Sequence, residues 1–202
     1  MVSAYVDTAV SQAKFSREVA EYRSLESQYR SRGWFLLEAR FPSILVVLAA
    51  PQLSPPAIVT GVLFDYSNYD AEPPSVRLVN PFSGEPYRAK DLPTTLNRSV
   101  GVNQQVAIPG LPAGAIRINQ LQPLMVAYGP DEVPFMCIAG VKEYHDHPAH
   151  SGDSWELHRH NGAGRLVRLL EVIHKYGIAP ISRYAVQMQP NVTGFDLTEI
   201  PA

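Results

Sequence analysis

The chain has 202 residues, 46% of them hydrophobic, with 17 basic and 19 acidic side chains mixed along its length, a formal net charge of -2 and a pI near 6.3. That is enough apolar material for one domain over 1–202, and the absence of a basic surplus excludes an electrostatic footprint for nucleic acid or an anionic membrane surface. A lone cysteine cannot close an internal disulfide, the opening residues lack a secretory pattern, and no run approaches the roughly 20 apolar residues of a membrane span, so the expected setting is the cytoplasm.

From Asp7 to Arg32 there is neither Gly nor Pro, and Phe15, Val19, Tyr22, Leu25 and Tyr29 recur at steps of three or four, which predicts one amphipathic helix with Gly33 as its stop. Trp34 to Ala39, Ile44 to Ala49 and Ile58 to Tyr66 are rich in β-branched and aromatic residues and are divided by proline-containing turns, the signature of an antiparallel meander. Within Tyr69 to Val79, Pro73-Pro74 favours an extended entry into a fourth short strand. Residues 82 to 123 read as a proline-rich, irregular insertion. Leu166, Leu169, Leu170 and Ile173 then repeat with helical spacing over about 163 to 176, and Gly177 reads as the stop. A long helix, a four-strand meander, an irregular His-rich region and a C-terminal helix make an α+β fold with its helices on one face of the sheet.

The chemistry-bearing residues concentrate between 137 and 160, where the only cysteine, Cys137, is followed by Glu143 and by five of the six histidines. Thiolate, carboxylate and neutral imidazole are the donors of a tetrahedral Zn²⁺ site, and sulfur argues against Mg²⁺ or Ca²⁺. If Cys137 to His147 is extended, Glu143, His145 and His147 share a face, and Pro148 turns the chain so that His150 folds back. The first-choice ligands are Cys137, Glu143, His147 and His150, with His145 as a substitute and His158 as a contributor from the next segment. Taken singly, each has a plain alternative: a loop histidine in water, a small core cysteine, an exposed carboxylate. A second functional reading makes Cys137 a nucleophile, with neighbouring histidines favouring its thiolate and an acyl group carried as a thioester. No Gly-x-Ser-x-Gly elbow, Walker loop or dinucleotide glycine pattern occurs in the sequence.

The N-terminal helix, the meander and the Tyr69 to Val79 strand entered through paired prolines resemble the ubiquitin-conjugating-enzyme (UBC-like) fold. Cys137, then Trp155, then an amphipathic helix resemble that family's catalytic cysteine, tryptophan and following helix. Conjugating enzymes carry His-Pro-Asn shortly before the cysteine, where this chain has Ala127-Tyr128-Gly129-Pro130. Cys137, Glu143 and two of His145, His147 and His150 are also similar to a bacterial family of metal-binding proteins with a Cys-Glu-His-His signature, associated with prokaryotic ubiquitin-like systems. That resemblance implies a zinc-binding, UBC-like component of a bacterial ubiquitin-like modification or antiphage pathway, with a ubiquitin-like protein and its activating enzyme as partners. The alternatives are a conjugating enzyme that forms a thioester on Cys137 and a non-catalytic module that recruits one of those partners. The sequence leaves open whether the protein is an enzyme.

Overall fold

The computed structural model describes residues 6–106 and 116–185. Helix α1 spans Thr8–Ser24, capped by the Asp7 carboxylate on the Ala9 N–H at 2.8 Å. After a break at Leu25 the chain resumes as the single-turn-and-a-half α2, Glu26–Ser31. The helical periodicity thus belongs to two helices instead of one. Gly33 ends the segment with φ +83, and a Cβ there would meet the Ala49 carbonyl oxygen at 2.4 Å. Only glycine fits both the left-handed backbone and the close approach.

Four antiparallel strands follow in sequential order: β1 Trp34–Arg40, β2 Ser43–Ala50, β3 Ala57–Asp65 and β4 Ser75–Val79. Alternation decides their faces: Ile44, Val46, Leu48 and Ala50 of β2, Val62 and Phe64 of β3, and Val76 and Leu78 of β4 are all buried. Against that face lie Phe15, Val19 and Tyr22 of α1 and the C-terminal helix α5, Leu166–Ile173, through Leu166, Leu169, Leu170 and Ile173. The helix continues past Gly177 as a wide turn over His174–Ile178. Leu96 packs against Gly177, where a Cβ would come within 3.0 Å of the leucine side chain, a tight contact that Leu96 would have to yield to.

A buried carboxylate of α1 caps α5, and Arg165 at the start of α5 also pairs with Glu21 of α1. Glu18, 1% exposed, accepts the Leu166 N–H at 3.1 Å, supplying from α1 the cap that α5 lacks from its own N-cap residue, Arg165.

Part of the 82 to 123 segment is regular: β5, Asn97–Val106, and β6, Ile116–Pro123, form a two-stranded antiparallel hairpin. The strands are written largely in Asn, Gln, Arg and Ser, and their apolar alternation is confined to Val100 and Val102 and to Ile116 and Ile118. The 107 to 115 portion of that segment lies outside the described residues. Two short strands, β7 Met125–Val126 and β8 Phe135–Met136, then pair and deliver the chain to Cys137. No helix among the described residues is long and apolar enough to cross a membrane.

Candidate functional site

Cys137 is held at the end of β8 by its backbone. Its N–H donates to the Leu124 carbonyl at 2.7 Å, and the Leu124 N–H donates in turn to Leu96 at 2.7 Å. The segment beyond Cys137 is not extended. Gly140 turns it at φ +102, the Lys142 N–H bonds the Pro74 carbonyl at 2.9 Å, and Lys142–Asp146 forms a short helix, α3, against β4. The 2-residue period assumed for Glu143, His145 and His147 therefore gives way to a helical one, which sends their side chains in different directions.

Glu143 faces the sheet. It accepts a hydrogen bond from the Ser75 hydroxyl and lies 3.8 Å from the Arg77 Nε, while its other oxygen is buried without a partner among the described residues. His145 turns inward: its Nε2 accepts the Gly140 N–H at 3.3 Å and its Nδ1 donates to the Asp153 carbonyl at 2.9 Å. Both ring nitrogens are in use, and burial holds its pKa below the ordinary histidine value. His147 sits half-buried over Phe135, ring centroids 5.1 Å apart, with its Nδ1 accepting the Ala149 N–H at 3.2 Å and its Nε2 hydrogen-bonded to the Tyr128 hydroxyl. His158, on helix α4 (Trp155–Arg159), bonds the Asp153 carboxylate at 2.6 Å.

Of the candidate residues, His150 alone reaches the thiol. Its Nε2 is 3.4 Å from Cys137 Sγ, after the Pro148–His150 turn folds the loop back over α3. The ring lies flat on Tyr144, centroids 3.9 Å apart at 27°, and His147 stands 5.7 Å away. Burial pushes the Cys137 thiol above its ordinary pKa, partly opposed by the positive charge of Arg98.

A tetrahedral zinc with bond lengths of about 2.3 Å to sulfur and about 2.0–2.1 Å to nitrogen sets its two donors about 3.5 Å apart. The Cys137–His150 spacing of 3.4 Å suits one edge of such a site. The remaining positions are not met: among the described residues no group of three or more His, Cys, Asp or Glu side chains is arranged to hold a metal. The five candidate ligands are thus divided, with Cys137 and His150 together, His147 nearby, and Glu143 and His145 bonded elsewhere.

Asp153 and Tyr144 also belong to the site. The Asp153 carboxylate accepts from the Tyr144 hydroxyl at 2.5 Å and from His158, bonds that hold its pKa below the usual carboxylate range. Burial and the same carboxylate push the Tyr144 phenol up to about 12. A Tyr–Asp pair nine residues apart in a loop has no periodic signal; only the fold-back makes it a pair. Trp155 anchors the loop, its indole N–H donating to the Asp70 carbonyl at 2.9 Å.

Comparison with known proteins places these residues in a shared frame. Residues 6–181 match the model of the Y4jH-like family, described as the Y4jH family. The chain is also similar to an "Uncharacterized protein y4jH" of Sinorhizobium fredii, at 40% identity over 195 residues, covering 94% of this chain and 92% of that protein.

Proposed function

The chain belongs to the Y4jH-like family, and from the resemblance of its sequence to the UBC-like fold together with the geometry around its only cysteine we propose that it is a UBC-like component of a bacterial ubiquitin-like pathway that carries an acyl group on Cys137. The observation that carries this reading is the 3.4 Å contact between Cys137 Sγ and His150 Nε2, in a loop that follows a helix-then-meander scaffold. An imidazole at that distance can take the thiol proton. The thiolate then attacks the carbonyl carbon of a thioester presented by an activating enzyme. A Cys137 S–C bond forms, the donor's S–C bond breaks, and the leaving thiolate takes up the proton. His150 is the base this geometry offers, its Nε2 3.4 Å from the sulfur, and burial of the thiol favours its protonated form until that base acts.

The test combines the protein with its cognate activating enzyme, ATP and the ubiquitin-like protein. The expected product is an adduct that reductant cleaves, absent in Cys137→Ala and formed at least tenfold more slowly in His150→Ala. No adduct with a charged, competent activating enzyme refutes the reading.

One observation favours a second reading: the same 3.4 Å spacing suits zinc held by Cys137 and His150. His147 could complete three ligands if its ring left Tyr128, whereas Glu143 or His145 would have to break their present bonds. The readout is elemental analysis of untagged protein. Stoichiometric zinc that falls in both Cys137→Ala and His150→Ala, but persists in Glu143→Gln, supports this reading. Metal content unchanged by either of the first two substitutions sinks it.

A further inference from the structure

The His150 ring makes one hydrogen-bond contact among the described residues, the one to Cys137. A ring with a single such contact is free to turn about its side-chain torsions unless something else fixes its plane. The face of Tyr144, 3.9 Å away, is what fixes it. Tyr144 is itself anchored at the far end of its ring, where the hydroxyl donates to Asp153 at 2.5 Å.

Asp153 gathers the whole loop. Its second carboxylate oxygen takes His158 at 2.6 Å, its carbonyl takes His145 at 2.9 Å, and its own N–H donates to the His150 carbonyl at 2.8 Å. Backbone and side chain of one residue therefore tie α3, α4 and the His150 turn together, with the Cys137–His150 pair at the end of the chain of contacts. We infer that Asp153, acting through the Tyr144 ring, is a positioning residue that sets the His150 imidazole against the Cys137 thiol.

This inference rests on the reading of Cys137 and His150 as a working pair, but it is tested without any ubiquitin-like protein. Cys137 is the only cysteine, so alkylation of the intact chain by iodoacetamide reports on that thiol alone. Tyr144→Ala and Asp153→Ala each slow alkylation near pH 7 by about tenfold while His150 is present, and by less than twofold in the His150→Ala background. Asp153→Asn keeps an acceptor for the phenol and stays within about threefold of the parent. Tyr144→Phe keeps the stacked ring, loses the bond to Asp153 and falls in between, so it preserves the test if the alanine variants fail to fold. A slowing of equal size with and without His150 shows that Asp153 acts on the loop and not through the imidazole, and overturns the inference. So does an unchanged rate in the Asp153 and Tyr144 variants. Coupling of Asp153 to His150 without any ubiquitin-like adduct refutes the acyl-carrier reading and leaves the positioning role standing.

Discussion

Replacing Glu18 with alanine removes the one acceptor that serves the α5 N-terminus. The carboxylate is 1% exposed, 3.1 Å from the Leu166 N–H and 3.1 Å from the Arg17 guanidinium, with the Arg165 Nε at 4.0 Å. The arginines are 60% and 44% exposed, so releasing them into water costs little, and the loss is counted from α5 alone. A hydrogen bond to a charged group contributes about 1.5–3 kcal/mol, and the negative charge at the helix start about 0.3–1 kcal/mol more. Together they make about 2–4 kcal/mol for Glu18→Ala. Glu18→Gln keeps an acceptor oxygen in place, loses only the charge, and costs about 1 kcal/mol. In urea, with a slope of roughly 2 kcal/mol/M, the unfolding midpoint falls by about 1–2 M for alanine and about 0.5 M for glutamine. Circular dichroism at 222 nm follows both transitions. A fall below about 0.3 M for alanine refutes the capping account, and equal falls for the two variants assign the stabilisation to charge instead of the hydrogen bond.

Gly140→Ala forces a side chain into a backbone with φ +102 and a Cβ to 2.3 Å from the Ala163 carbonyl. The expected loss is about 2 kcal/mol or more, read as a melting temperature lower by at least about 4 °C. His174 sets its ring edge against Trp34 at 5.4 Å, and burial first, then Arg32, lowers its pKa in the folded state, with Glu171 opposing. The unfolded chain then binds the proton more readily, so this group's stability contribution is fully present above about pH 6.5 and is lost as pH falls through the lowered folded value. Urea midpoints measured from pH 7.5 down to 5 therefore decline, and His174→Gln declines less; equal slopes in the two proteins contradict the assignment.

The scaffold was readable because its cues are periodic. Phe15, Val19 and Tyr22 mark a helix face, and Ile44, Val46 and Leu48 mark a strand face, since burial on one side repeats at the period of the element. Leu166, Leu169, Leu170 and Ile173 marked α5 in the same way. The β5–β6 pair left only the short alternations Val100/Val102 and Ile116/Ile118, because backbone pairing of largely polar residues needs no longer apolar pattern. The histidine-rich segment was legible in composition but not in arrangement. Its fold depends on the Gly140 turn, on Lys142 docking to Pro74 and on the partners of Asp153, all of which join residues distant in sequence or out of register with any period. Hence Cys137 and His150 lie 3.4 Å apart while Glu143 turns to Ser75.

The carboxylate that caps α5 from α1 also gives the chain an order of assembly. Glu18 leaves the ribosome 148 residues before Leu166 does, an interval of roughly seven to thirty seconds at usual elongation rates. During that interval the meander β1–β4, whose strands pair only with sequence neighbours, can close, while its apolar face still lacks α5 and the Glu18 carboxylate stays hydrated. Burial of that charge is thus a late event, coupled to the arrival of α5. A nascent chain stalled before α5 should expose the sheet's inner face to chaperones, and completion of α5 should withdraw it.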